Sequence, residues 1–150
     1  MLSKVYLIIF VVILFVGSAF YFSSNSSYKN SFQARVYYFL GNYDNALAYA
    51  KVAYELDSYN KMAFTVLTQS KIAKSYENYI KEGNDYLKKI DEISEKKIYT
   101  EADKIRIKIM CEVMIESFGE LSPTALTDKK LQENSLKVYT KFKQLHEELF

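Results

Sequence analysis

Hydrophobic and polar positions divide the chain into an apolar N-terminal segment and a longer amphipathic region. No charged residue lies between Lys4 and Lys29, and Val5–Val16 is an unbroken apolar run. Apolar residues resume at Ala19–Phe22, so residues 5–22 would form a helix about 27 Å long. This is close to the ~30 Å hydrocarbon core of a bilayer, and the segment has no polar face. The pattern predicts a transmembrane anchor over residues 1–22.

A cleaved signal peptide is the alternative interpretation of this segment. A basic residue, Lys4, precedes the apolar run, and Gly17 and Ala19 stand two apart, as in a cleavage site after Ala19. The apolar residues beyond Ala19 favour retention. Because a short basic tail usually stays cytoplasmic, we expect a single-pass protein of the inner (cytoplasmic) membrane. The C-terminal domain would lie on the exported, periplasmic side, after a polar linker at residues 23–28.

Beyond the linker, apolar residues recur every three or four positions, which indicates helices rather than strands. The chain contains only four glycines and one proline, and a sandwich or barrel would need more turns. Gly41 marks a turn, and Thr100 and Asp103 have the spacing of a capping box. The predicted fold class is all-α: an N-terminal transmembrane helix followed by a stack of about six antiparallel helices. Their predicted ranges are 29–40, 43–56, 61–74, 77–96, 101–118 and 128–149.

The segment from Gly41 to Asn60 carries the most specific motif. It contains Gly-x-Tyr-x-x-Ala, then Ala53 seven residues after Ala46, then Glu-Leu-Asp and a polar turn. This segment resembles the second helix of a tetratricopeptide repeat, a family with a 34-residue period. The resemblance implies two helical hairpins within residues 29–94, with the C-terminal helices of residues 95–150 docking on them.

The second of these hairpins departs from the family pattern. Ser75 stands where the turn glycine would be, and Ile80 and Leu87 replace the small residues. In the family, the first helix of each repeat lines a concave groove that binds partner proteins. The alternative is that residues 95–150 fill this groove. The resemblance implies that the groove-facing, partner-binding positions are Ser31, Arg35, Tyr38, Thr65, Gln69 and Ile72.

Composition narrows the possible chemistry. Twenty basic and 18 acidic residues leave little net charge for neutralising phosphates, so we expect no nucleic-acid partner. One cysteine and one histidine exclude a disulfide framework and the usual zinc sites. We expect Cys111 to be a small buried hydrophobe, and His146 to lie on the surface near a helix C-terminus. With no nucleophile–base pair and no glycine-rich phosphate loop, the sequence predicts no enzyme, catalytic residue, metal, cofactor or small-molecule substrate.

These features together predict a membrane-anchored scaffold or adaptor that resembles tetratricopeptide proteins. It would bind and stabilise a protein partner as a component or assembly factor of a bacterial motility, secretion or respiratory machine, with residues 5–22 contacting the membrane. The alternative function is a cleaved, secreted, soluble helical binding protein.

Overall fold

A computed structural model describes residues 2–96, 98 and 100–150, with the N-terminal helix described at the side-chain level over residues 5–18. Met1, Lys97 and Tyr99 lie outside the described residues. The described residues form helices without strands, which confirms the predicted all-α class. The helices are α1 (Leu2–Ser24), α2 (Ser26–Phe39), α3 (Tyr43–Leu56), α4 (Lys61–Ser94), α5 (Glu101–Gly119) and α6 (Lys129–Leu149).

The predicted transmembrane helix is wrong. No helix in the described part of the chain combines the length and the apolar character needed to cross a membrane. The prediction counted residues 5–22 as one apolar span, although Gly17 and Ser18 interrupt it and the unbroken run Val5–Val16 alone corresponds to only about 18 Å of helix.

The predicted linker at residues 23–28 is also mostly helical. Only Asn25 separates α1 from α2, and its backbone is extended, with φ −90° and ψ 106°. Its side-chain oxygen accepts hydrogen bonds from the backbone N–H groups of Ser27 (3.0 Å) and Tyr28 (3.3 Å). An asparagine N-cap satisfies amides that the first turn of a helix leaves unpaired. The polar residues after Asn25 therefore start α2 instead of forming a spacer.

The chain divides into two compact units, unit 1 (residues 1–70) and unit 2 (residues 71–150). In unit 1, α2 and α3 form a hairpin, as predicted. Gly41 makes the turn between them with φ +73°, a left-handed conformation that glycine adopts without a steric penalty. Alanines allow the helices of unit 1 to approach closely, because each is fully buried and presents only a methyl group. They are Ala34, Ala46, Ala50, Ala53 and Ala63.

A buried polar network joins α2, α3 and the start of α4 in unit 1. Ser27 Oγ donates to the Ala53 carbonyl at 2.8 Å. Asn60 Nδ2 donates to Ser27 Oγ at 2.9 Å and to Ser31 Oγ at 3.2 Å. Asn60 Oδ1 also accepts from the first-turn amides of α4, at 3.1 Å from Met62 N and 3.2 Å from Ala63 N. One side chain therefore caps α4 and fixes α2 beside it.

The second predicted hairpin is absent, because residues 61–94 form the single 34-residue helix α4. The turn expected at Ser75 does not occur: its hydroxyl donates to the Lys71 carbonyl, four residues earlier in the same helix. Tyr76 and Tyr79 are both buried on one side of the continuing helix. No glycine or proline lies between residues 61 and 82 to end the helix there.

The core of unit 2 lies between the C-terminal part of α4 and helices α5 and α6. Thr100 and Asp103 form the predicted capping box at the start of α5. The Tyr79 hydroxyl donates to the Met114 carbonyl at 3.0 Å, and Phe118 stacks on Tyr139 with ring centroids 4.4 Å apart. The buried core residues are Tyr79, Ile90, Ile93, Ile107, Cys111, Met114, Val138 and Phe142.

Candidate functional site

Helix α2 presents its apolar side to solvent and its small polar side to the protein. The residues that it buries are Ser27, Ser31 and Ala34, whereas three of its large apolar residues and the C-cap residue Leu40 are exposed. Their exposed fractions are 61% for Phe32, 43% for Val36, 73% for Phe39 and 74% for Leu40. The spacing of these four residues places them along one stripe of the helix. We call this stripe the outer face of α2.

Two predicted site residues border the outer face. The guanidinium carbon of Arg35 lies 5.5 Å above the centre of the Phe39 ring, a cation–π geometry. Tyr38 meets the same ring edge-on at 6.3 Å, and it also contacts Tyr43 at 5.4 Å. Arg35 is exposed, while Tyr38 is half-buried. The structure therefore brings Arg35 and Tyr38 together around Phe39.

Two other predicted residues are not on an open groove. Ser31 is fully buried, donates to the Tyr28 carbonyl at 2.9 Å and accepts from Asn60. Gln69 is buried as well. The expectation that both line an open groove is wrong, because the protein packs closely around both side chains. Their proposed contact with a partner would require that packing to open.

The remaining predicted residues, Thr65 and Ile72, lie on α4. Thr65 is exposed, and its hydroxyl donates to the Lys61 carbonyl at 2.8 Å. Ile72 is half-buried and belongs to unit 2. The predicted set is thus divided between an exposed pair on α2, two buried residues and two separate positions on α4. A partner-binding role for these residues stays a prediction.

The four apolar residues of the outer face are not among the site residues predicted from the sequence. Their spacing was a usable signal, since Phe32, Val36 and Phe39 recur at the interval of one helix face. That same spacing ordinarily indicates the buried face of a helix. Only the close fit of α2 against the alanines of its neighbours reveals that the serine side is inside.

The lone cysteine and histidine lie in unit 2. Cys111 is buried, as predicted, and its burial raises the pKa of the thiol. His146 is partly exposed near the end of α6, with Nε2 3.8 Å from a carboxylate oxygen of Glu112. Among the described residues, no group of three or more His, Cys, Asp and Glu side chains is arranged to hold a metal ion.

Comparisons with models of protein families, with curated proteins and with solved structures find no match to this chain. The resemblance of residues 41–60 to a tetratricopeptide helix therefore stays a prediction from the motif.

Proposed function

We propose that this chain is a helical scaffold whose outer face on α2 binds a protein partner. The observation that carries the proposal is the reversed placement of residues on α2, with serines inside and large apolar residues outside. Exposed apolar patches of this kind mark interaction sites, because their burial on binding is favourable. Phenylalanine and arginine are also among the residue types that are enriched at the buried cores of interfaces.

The composition of the outer face indicates the kind of surface that it fits. Phe32, Val36 and Phe39 would contact an apolar side of the partner, for example one face of a helix. Arg35, at the edge, would pair with a carboxylate, since its planar group makes two parallel hydrogen bonds to one.

Site-specific photo-cross-linking in cells tests this proposal. A photo-cross-linking amino acid at Phe39 should give a discrete protein adduct, which the Phe32→Ser/Val36→Ser variant should lose. The matched control places the same amino acid at Tyr59, an aromatic residue that lies outside α2 and is 93% exposed. Equal adducts from both positions, or an adduct unchanged by the double variant, would contradict the proposal. So would an Arg35→Ala/Tyr38→Ala variant that retains every protein adduct.

The apolar part of α1 supports a proposal about where the scaffold acts. Every side chain from Val5 to Val16 is exposed, and none is charged. We propose that this surface attaches the scaffold to a lipid surface at the exported side of the cell. The second candidate is a secreted binding protein, favoured by the basic Lys4, the 12-residue run and the small residues at Gly17 and Ala19.

The mass of the mature chain separates these two candidates. A chain that starts at Met1 and floats with vesicles supports lipid attachment, whereas a chain that starts after Ala19 supports secretion. An uncleaved chain that stays in the cytoplasm and does not float would contradict both. Neither result bears on the outer face of α2, which the cross-linking experiment tests separately.

A further inference from the structure

Unit 2 contains a cationic groove between α4 and α5 that the proposed function does not use. Its volume is about 470 Å³. Its apolar and aromatic lining residues are Tyr86, Ile93, Ile109 and Met110, and its charged ones are Lys89, Glu92, Lys96 and Arg106. Among the described lining residues, three cations thus accompany one carboxylate along an apolar floor.

The cations of the groove differ in their availability to a ligand. Lys96 Nζ lies 2.7 Å from a carboxylate oxygen of buried Asp103, so this lysine is fixed in place. Lys89 Nζ lies 5.2 Å from the centre of the Tyr86 ring. Within the described residues, neither Lys89 nor Arg106 forms an ion pair with a carboxylate. Two positive groups therefore face solvent beside the apolar floor.

The single carboxylate of the groove does not cancel this charge. Glu92 lies 4.0 Å from Lys88, another lysine, and both side chains are largely exposed. The groove thus keeps an excess of positive charge that attracts carboxylates. The floor adds apolar contact, since about half of the Ile109 side chain is accessible.

We propose that this groove binds an acidic, apolar segment of a protein, in which carboxylates flank leucine-like or aromatic side chains. The carboxylates would pair with Lys89 and Arg106, and an apolar side chain would lie between Ile109 and Met110. An extended or helical peptide fits better than a small metabolite, because most of the lining residues are exposed rather than enclosed. This inference is independent of the outer face of α2, which lies in unit 1.

Fluorescence anisotropy with the full chain tests the groove. The probe is a short fluorescein-labelled peptide in which glutamate alternates with leucine; the comparison peptides replace the leucines by serine or the glutamates by lysine. We expect binding of the first peptide that weakens with added salt, and weak binding of the other two. The Lys89→Gln/Arg106→Gln variant should bind the first peptide about tenfold more weakly or worse.

Two control variants isolate the groove. Lys137→Gln/Lys141→Gln removes the same charge from exposed positions on α6 and should retain the affinity. Ile109→Ser should weaken binding, whereas Ile105→Ser, at a similarly exposed position of α5 outside the groove, should not. Circular dichroism checks that each variant is folded.

Four outcomes would overturn the assignment. Three are equal losses in the groove and α6 double variants, equal affinity for the leucine and serine peptides, and unchanged binding by Lys89→Gln/Arg106→Gln. A fourth is that only vesicles containing phosphatidylserine, and not the peptide, show the dependence on Lys89 and Arg106. The Phe32→Ser/Val36→Ser variant should bind the peptide normally, which keeps this result separable from the test of the outer face.

Discussion

Asn60 holds the start of α4 and one side of α2 with a single side chain. Its amide group is fully buried, and both the amide nitrogen and the amide oxygen form hydrogen bonds in the polar network. Ser27 and Ser31 are buried and donate to backbone carbonyls, so the Asn60 amide supplies the donor that their hydroxyl oxygens accept. A buried network of this kind stabilises a fold only while every member is satisfied.

We therefore expect Asn60→Ala to destabilise unit 1 strongly. It removes an N-cap and two buried hydrogen bonds, a combined loss of about 2–3 kcal/mol in the free energy of unfolding. Urea denaturation measures this loss. The control is Asn45→Ala on the exposed surface of α3, which should change stability by less than about 0.5 kcal/mol. A small effect at Asn60 would show that water replaces its amide.

Asp103 makes the stability of unit 2 depend on pH in the acidic range. The Lys96 ammonium, 2.7 Å away, and the Thr100 hydroxyl, at 2.8 Å, lower the pKa of this carboxyl from 3.8 to about 2. Because the folded-state pKa lies below the unfolded value, the ionised form stabilises the fold above about pH 4. That contribution is lost as the pH falls through about 2.

The expected result for Asp103→Asn is a lower urea midpoint at neutral pH. The difference from the natural chain should shrink between pH 4 and pH 2, as the natural carboxyl becomes protonated. Unfolding curves at several pH values measure it, with Glu101→Gln, at an exposed position of the same turn, as control. A difference that stays constant across this range would contradict the assigned role.

At the scale of elements, α4 and α6 touch at a glycine. Gly83 lies in the interior of α4, and a Cβ atom there would overlap Val138 Cγ1 and lie 3.1 Å from Met114 Cε. Val138 is buried and β-branched, so its side chain cannot swing away. The glycine is therefore required for the close approach of the two helices.

Gly83→Ala should destabilise unit 2 by about 1–3 kcal/mol, because the cost of overpacking exceeds the higher helix propensity of alanine. Gly119→Ala is the matched control, since nothing lies within 4 Å of its added Cβ. In a double-mutant cycle, Val138→Ala should offset part of the loss in Gly83→Ala. Strict additivity of the two changes would count against the contact.

The course of α4 shows what local sequence can and cannot predict. The start of α3, the Gly41 turn and the capping box at Thr100 follow from local chemistry, and the structure confirms them. The break expected at Ser75 was inferred from a 34-residue period. A repeat period does not end a helix when the residues at that point favour the helical conformation. The burial of the Tyr76 side chain also stabilises the continuous helix α4.

The candidate site was less predictable for a different reason. The motif points to the exposed residue Arg35, but it also places Ser31 on the open side and does not indicate Phe39. A helical stripe has the same spacing whether it faces the core or a partner. The inside of α2 is decided by distant residues, namely the alanines of α3 and the amide of Asn60, which no local pattern reveals.

At the scale of the molecule, each unit has a core of its own. Unit 1 has a core cluster of Ala34, Ala50 and Val66, and the core of unit 2 is built on larger side chains of α4, α5 and α6. Separate cores predict separate responses to mutation, since local opening depends on the contacts within each cooperative region.

Hydrogen exchange with mass spectrometry tests this expectation. Asn60→Ala should increase exchange in peptides from residues 26–56 about tenfold or more and leave residues 101–149 unchanged. Gly83→Ala should instead increase exchange in residues 101–149 and leave residues 26–56 unchanged. If either variant accelerates exchange equally throughout, the chain unfolds as one cooperative body.

The position of Cys111 gives the chain a built-in reporter. It is the only thiol in the sequence, it lies fully inside the core of unit 2, and burial raises its pKa. Because alkylating reagents attack the exposed thiolate, the native chain should be labelled only when this core opens. The labelling rate of the unmodified protein therefore measures how often unit 2 opens, and a cysteine introduced on the surface would accept a dye while Cys111 stays unlabelled.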